Sequence, residues 1–263
     1  MIASILKSFG LIARNPLLLL PALIAGIINS IIIELLRQNI AELLAEWSSQ
    51  GFLPVSGIQE PFYFIALHLN QFLLVGIGLF LVAVVNGITV FAYAEYVREK
   101  TQEKAGVLKA MINSWKAIPR ILLLMGFLSI IALMFAVFFS YSIALTVSFE
   151  ILGLILAIII LLLGLYLAIH FAFSLTVLGF EQMNAKETLK KTWNFSSKNS
   201  IQIIIFLALL TIIPVIFVEI GLYISSLTQN EIILTLIPLI ITLIVFSFSH
   251  LSFALYYNEK STQ

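Results

Sequence analysis

Six polar side chains inside otherwise apolar stretches are the residues of this chain with the chemistry to bind or move an ion. A charged group in hydrocarbon is costly, so each one requires a partner or a purpose. His170, Ser174 and Glu181 are separated by four and seven residues, which places them on one face of a helix. We therefore define a candidate intramembrane polar site, which consists of Glu219, His170, Ser174, Asn86, His250 and Glu181.

These residues have more than one interpretation. Glu219 could bind a proton or a cation. Alternatively, the polar groups serve only to join helices, through hydrogen bonds of about 1 kcal/mol each. Two histidines in separate helices are weak evidence for a metal site. An enzyme acting on lipid headgroups would require Glu181, Glu95 and a histidine in one cluster. We expect no metal, no cofactor and no catalytic residue.

The composition removes most familiar active sites. All thirteen acidic residues are glutamates and cysteine is absent, which excludes disulfides, thiolate chemistry and aspartate nucleophiles. The net charge of +1 gives no basic surface for nucleic acid. A non-enzymatic protein without a nucleic-acid partner is therefore the favoured class.

The elements that carry these residues are predicted to be transmembrane helices. The chain is 61% hydrophobic and 10% charged, whereas soluble domains carry about a quarter charged residues. A hydrocarbon core about 30 Å thick requires about 20 apolar residues in a helix. An all-α integral membrane bundle of six transmembrane helices, in one polytopic domain over 1–263, is therefore predicted, with spans at 16–36, 71–97, 119–149, 151–180, 201–227 and 232–257.

The positive charges predict the orientation of these spans. Thirteen of the fourteen lysines and arginines fall on one side of the predicted topology, with Arg37 alone on the other. Cationic loops are retained in the cytoplasm. We therefore expect a multi-pass protein of the cell membrane whose N- and C-termini are both cytoplasmic.

A pattern recurs before the first, third and fifth spans. In each case an aromatic residue follows Ser or Thr and precedes a cation by five residues: Ser8-Phe9 with Arg14, Ser114-Trp115 with Arg120, and Thr192-Trp193 with Lys198. Apolar residues at helical spacing precede each aromatic, which indicates an amphipathic helix at the membrane interface. The pattern favours three repeats, 1–97, 98–180 and 181–263, each an interfacial helix plus a helical hairpin, although inner-leaflet flanks in general carry Trp and Lys. The expected interfacial lipid contacts are Trp115, Trp193, Arg120, Lys190, Lys191, Lys198, Phe9 and Arg14.

The residues after the fourth span also carry a family resemblance. Glu181 closes that span and is followed by Thr188-Leu189, Thr192-Trp193 and Lys198-Asn199. This segment resembles the membrane domain of glycerophosphoryl diester phosphodiesterases and related stand-alone membrane proteins of bacteria and archaea, although Thr188 and Thr192 depart from the usual small residues. The resemblance implies a membrane module that handles lipids or amphiphiles. It does not imply diesterase chemistry, since no segment here could form the separate catalytic barrel of those enzymes.

Three functional hypotheses follow. The first is a non-enzymatic protein that binds or transports lipids or amphiphiles, or has an accessory role in the membrane, with membrane lipids as partners. The second is a proton-coupled transporter of small solutes that uses Glu219, His170 and Asn86. The third is a membrane-embedded enzyme acting on lipid headgroups. The sequence leaves self-association and any further partner open.

Overall fold

The computed structural model describes residues 2–49, 66–101, 106–227 and 231–261, which are almost wholly helical and contain no β-strand. The helices, in chain order, are α1 (Ile2–Arg14), a 3-10 turn (Pro16–Leu19), α2 (Leu20–Ser49), α3 (Leu69–Thr101), α4 (Val107–Lys116), α5 (Ile118–Ser148), α6 (Glu150–Phe171), α7 (Ser174–Glu181), α8 (Ala185–Ser226) and α9 (Glu231–Ser261).

Six segments of this structure are long and apolar enough to cross a membrane, as the sequence predicts. They are Pro16–Glu46, Leu69–Lys100, Ile118–Ile143, Glu150–Glu181, Ala185–Ser226 and Leu236–Ser261. Large aliphatic side chains remain exposed along them, for example Leu161 and Leu162. Exposure of this kind is stable where the surrounding solvent is lipid, and the helix satisfies its own backbone hydrogen bonds. The chain is a multi-pass membrane protein.

The chain forms two compact units. The first consists of Met1–Ile27, Asn86–Leu124 and Ile169–Gln263, and the second of Ile28–Val85 and Met125–Ala168. Aromatic side chains fill the core of the first unit, where the rings of Phe206 and Tyr256 stack with their centroids 4.5 Å apart. In the second unit, α2 and α3 approach closely where Leu36 lies against Gly78.

Helix α1 packs on α9 through small side chains. Ser8 Oγ lies 2.9 Å from Ser252 Oγ, and Ser4 donates a hydrogen bond of 2.5 Å to Glu259. Serine allows two helix backbones to approach closely and supplies a hydrogen bond between them. Pro16 then begins the 3-10 turn, since the first position of a helical turn needs no intrahelical N–H.

Helix α8 contains a bend that separates an initial segment from its span. Asn199 has non-helical angles (φ −122°, ψ 18°), and its side-chain amide donates to the carbonyl of Phe195 at 2.9 Å. At the start of the helix, the side chain of Asn184 accepts from the backbone N–H of Glu187 at 2.9 Å, which caps the first turn. Helix α1, helix α4 and residues 185–198 of α8 therefore precede the apolar runs that the sequence predicts as spans one, three and five, at 16–36, 119–149 and 201–227. The sequence duplication itself stays a prediction.

Candidate functional site

Two consecutive residues at the end of the fourth span, Glu181 and Gln182, contact four other helices. We call this pair the Glu181–Gln182 junction. Glu181 Oε1 accepts a hydrogen bond of 3.0 Å from the Tyr257 hydroxyl of α9 and lies 2.6 Å from Lys191 Nζ of α8. Glu181 therefore ties the end of α7 to both following helices.

Gln182 makes the corresponding contacts to two earlier helices, α5 and α3. Its backbone carbonyl accepts a hydrogen bond of 2.9 Å from Arg120 of α5. Its side-chain amide oxygen accepts from both terminal nitrogens of Arg98, at 2.8 Å each. The opposite amide orientation would set an NH₂ group against these donors and leave only a 3.4 Å contact to Glu95, so we assign the oxygen to the side of Arg98.

The arginine that Gln182 contacts, Arg98, forms an ion pair with the buried Glu95. The Glu95 side chain is 0% exposed, and its Oε1 atom lies 2.6 Å from Arg98 and 3.0 Å from the side-chain amide of Asn113. A buried carboxylate is stable only when it is paired and hydrogen-bonded. Arg98 and Asn113 together meet this requirement and fix the end of α3 against α4.

A second contact of the same kind holds α4 one turn further along α3. Lys109 Nζ lies 2.6 Å from Glu99 Oε1, and the Glu99 side chain is 7% exposed. Glu95 and Glu99 are four residues apart on α3, as are Asn113 and Lys109 on α4, so the two contacts form a ladder between the helices. The ladder fixes the rotation of α4 about its own axis.

This rotation leaves an apolar stripe of α4 uncovered. Leu108, Ile112 and Trp115 are 60%, 57% and 52% exposed, whereas Ala110 and Ser114 are buried. The stripe immediately precedes the third span, which begins at Ile118. An exposed apolar stripe at that position is suited to the acyl boundary of a bilayer.

An open groove of about 370 Å³ lies between the start of α5 and the chain after α7. Its lining consists of Pro119, Arg120, Leu123, Gln182, Met183, Asn184 and Ala185. Arg120 carries the one formal charge among these residues, and Pro119, Leu123, Met183 and Ala185 are apolar. The groove can therefore accept a molecule that combines an anionic group with an apolar part.

Each residue of the candidate intramembrane site has its own surroundings in the structure. The buried His170 ring packs on Trp193 at a centroid distance of 4.4 Å, and the His250 ring packs on Phe246 at 4.3 Å. Glu181 belongs to the junction described above. The remaining members differ in exposure: Glu219 is exposed on α8, Asn86 is half-buried on α3, and Ser174 is buried at the start of α7.

No metal-binding cluster is present in the described part of the chain, where no three of His and Glu come close enough to hold an ion. Ser174 Oγ and His250 Nε2 are both buried and have no hydrogen-bond partner among the described residues. Both atoms are therefore polar groups inside spans that form no hydrogen bond with the described residues.

The expected interfacial residues have different surroundings. Trp115, Arg14, Lys190 and Lys198 are exposed, and Arg120 lines the groove. Three others contact residues of the first unit: Lys191 pairs with Glu181, Trp193 contacts His170, and the Phe9 ring stacks on Phe248 at 4.1 Å.

Sequence reasoning did not select three residues that organise this region, namely Gln182, Arg98 and Asn113. The spacing of Glu95 and Arg98, three residues apart at the end of an apolar run, is a signal for their ion pair. Gln182 and Asn113 carry no such signal, because their contacts depend on how the helices pack.

Comparison with protein-family models, with curated proteins and with solved structures gives no significant match.

Proposed function

We propose that this membrane protein binds membrane lipids non-enzymatically at the basic ends of its spans, either to transport them or as an accessory to another membrane process. The groove beside Arg120 carries this proposal. It places one guanidinium next to an apolar wall that includes Leu123 and Met183. Guanidinium groups form strong hydrogen bonds with phosphate and carboxylate oxygens.

Charge complementarity supports an anionic lipid as the occupant. The headgroup anion would meet Arg120, and the acyl chain would lie against Leu122 and Leu123, which are exposed in the first turns of α5. The apolar stripe of α4 supports the same location, since it is suited to lie within the leaflet next to the groove. Glu181, one of the residues that carry the family resemblance, directly precedes Gln182 of the groove lining. This position is consistent with a lipid-handling membrane module.

We infer that the basic ends of the spans face the cytoplasm of the cell and that both termini lie on that side. The thirteen cations on this side, against Arg37 on the other, support the inference. Anionic lipids attract basic segments at the same surface, which favours lipid binding there.

Native mass spectrometry of protein released from mild detergent tests the proposal, with identification of the retained lipid. The wild-type protein should retain an anionic lipid, and Arg120→Gln should retain roughly tenfold less, because one charge-assisted contact is lost. Lys198→Gln is the matched control, since it removes an exposed cation that does not line the groove. Equal retention by wild type and Arg120→Gln would refute lipid binding in the groove.

A second candidate function is proton-coupled transport of a small solute. The buried Ser174 Oγ and His250 Nε2 atoms, which have no hydrogen-bond partner among the described residues, favour it, because polar groups inside spans mark ion and substrate pathways. Proton flux into proteoliposomes should then fall in His250→Phe and Ser174→Ala variants. Unchanged flux in both variants would exclude this pathway.

A further inference from the structure

We infer that Gln182 is the positioning residue of the groove: it holds Arg120 in place to meet the headgroup anion, and the buried Glu95–Arg98 pair holds Gln182. This inference rests on the proposed function, because it concerns how the same groove selects its ligand.

The backbone of Gln182 provides the first step. Its φ angle is 53°, and it is the one residue other than glycine with a positive φ in the described part of the chain. This left-handed conformation ends helix α7, where the Gln182 N–H bonds the Leu178 carbonyl, and it costs a residue with a side chain about 1 kcal/mol or more. In this conformation the carbonyl of Gln182 faces Arg120 and accepts its 2.9 Å hydrogen bond.

The side chain of Gln182 provides the second step. Its amide oxygen bonds both terminal nitrogens of Arg98, and Arg98 is in turn fixed by the fully buried Glu95. The strained turn is thereby anchored to the interior of the first unit. Because Glu95 neutralises Arg98, this anchor adds no net charge beside the groove.

These two steps separate the roles of the two arginines. Arg98 is part of the anchor, whereas Arg120 is the charged group of the groove lining. An arginine held by a carbonyl loses less side-chain entropy when an anion binds. Gln182 should therefore contribute to the preference for anionic over zwitterionic lipids, and not to the affinity for the apolar part of the ligand.

The test is a titration of the full-length, detergent-solubilised protein with two probes, a short-chain phosphatidylglycerol and the phosphatidylcholine of the same chain length. The readout is the ratio of the two affinities. Arg120→Gln should abolish the preference for the anionic probe, and Gln182→Ala should lower it roughly tenfold. Gln182→Asn should keep most of the preference, because asparagine tolerates the left-handed conformation and retains an amide. Lys186→Gln, which removes an exposed cation outside the groove lining, should leave the ratio unchanged.

Gln182 is exposed, so its substitution does not create a cavity in the core. If Gln182→Ala does not give a monodisperse protein, Gln182→Gly replaces it, since glycine adopts this conformation without strain and also lacks the amide. A wild-type ratio in the Gln182 variant, together with a lost preference in Arg120→Gln, would overturn the positioning role and leave the proposed function intact. Equal weakening of both probes would show a merely structural role for Gln182. An unchanged ratio in Arg120→Gln would refute the proposed function itself.

Discussion

Lys109 Nζ lies 2.6 Å from Glu99 Oε1, and the second carboxylate oxygen of Glu99 is buried with no hydrogen-bond partner among the described residues. Among the described residues, the Glu99 carboxylate is therefore paired with one cation, Lys109 of the neighbouring helix. Breaking a buried pair leaves an uncompensated charge, which costs more than the pair contributes.

Lys109→Met should therefore destabilise the protein by about 1–3 kcal/mol, a value reduced from that of a fully buried pair because the lysine is half exposed. Thermal unfolding in detergent measures the effect as a lower Tm. Lys116→Met, which removes an exposed lysine from the same helix, should have little effect. If both variants melt at the same temperature, Glu99 does not depend on Lys109.

The stripe of α4 predicts different lipid contacts for two tryptophans. Trp115 is exposed beside Ile112, whereas Trp193 is half-buried against His170. In bilayers that contain brominated lipids, a protein with Trp115 as its sole tryptophan should be quenched strongly. A protein that retains only Trp193 should be quenched less. Equal quenching of the two proteins would contradict the orientation of α4.

The close approach of α7 to α3 predicts that Gly179 does not tolerate a side chain. A Cβ atom there would lie 2.6 Å from the Cβ of Ala94 and 3.2 Å from the carbonyl oxygen of Phe91, which is fixed backbone. Gly179→Ala should lower the free energy of unfolding by roughly 1–3 kcal/mol through overpacking. Gly26→Ala, at a site with no atom within 4 Å of the new Cβ, is the control and should be neutral or stabilising. Equal stability of the two variants would disprove the close contact.

The proposed orientation predicts the side of the membrane from which new cysteines can be labelled. The chain contains no cysteine, so Lys198→Cys and Arg37→Cys each introduce a unique thiol at an exposed position. In intact cells, a membrane-impermeant maleimide should label Arg37→Cys alone, and permeabilisation should make Lys198→Cys reactive. The reverse pattern would place the termini outside the cell.

The spans were predictable because their signal is local. An apolar run of sufficient length has few alternatives to a transmembrane helix, and the expected span at 71–97 lies within helix α3, Leu69–Thr101. The helical spacing of the apolar residues before Trp115 likewise predicted the amphipathic helix α4, whose polar residues include Lys109 and Asn113. It did not indicate that Glu99 and Glu95 receive them, because that depends on how α4 packs against α3.

The groove was not predictable from the sequence, because it also depends on how the helices pack. Arg120 was expected to contact lipid as a flank of the third span, but its contact with Gln182 joins residues 62 positions apart. The left-handed backbone of Gln182 has no sequence signature, since glycine and asparagine are the residues that usually mark it. His170 and Glu219 were identified in the sequence because placing an ionisable group in hydrocarbon is unfavourable in free energy. That free-energy cost does not specify which neighbouring residues reduce it.

The Glu181–Gln182 junction also has a consequence for how the chain is assembled during synthesis. Glu95 and Arg98 are three residues apart, so they can neutralise each other as soon as the second span leaves the translocon. The bond from Arg120 to Gln182 has to wait until the fourth span has been made. Tyr257 reaches Glu181 from 76 residues further along, in the sixth span. The junction is therefore completed last, and until then the earlier spans have to remain in the bilayer without it.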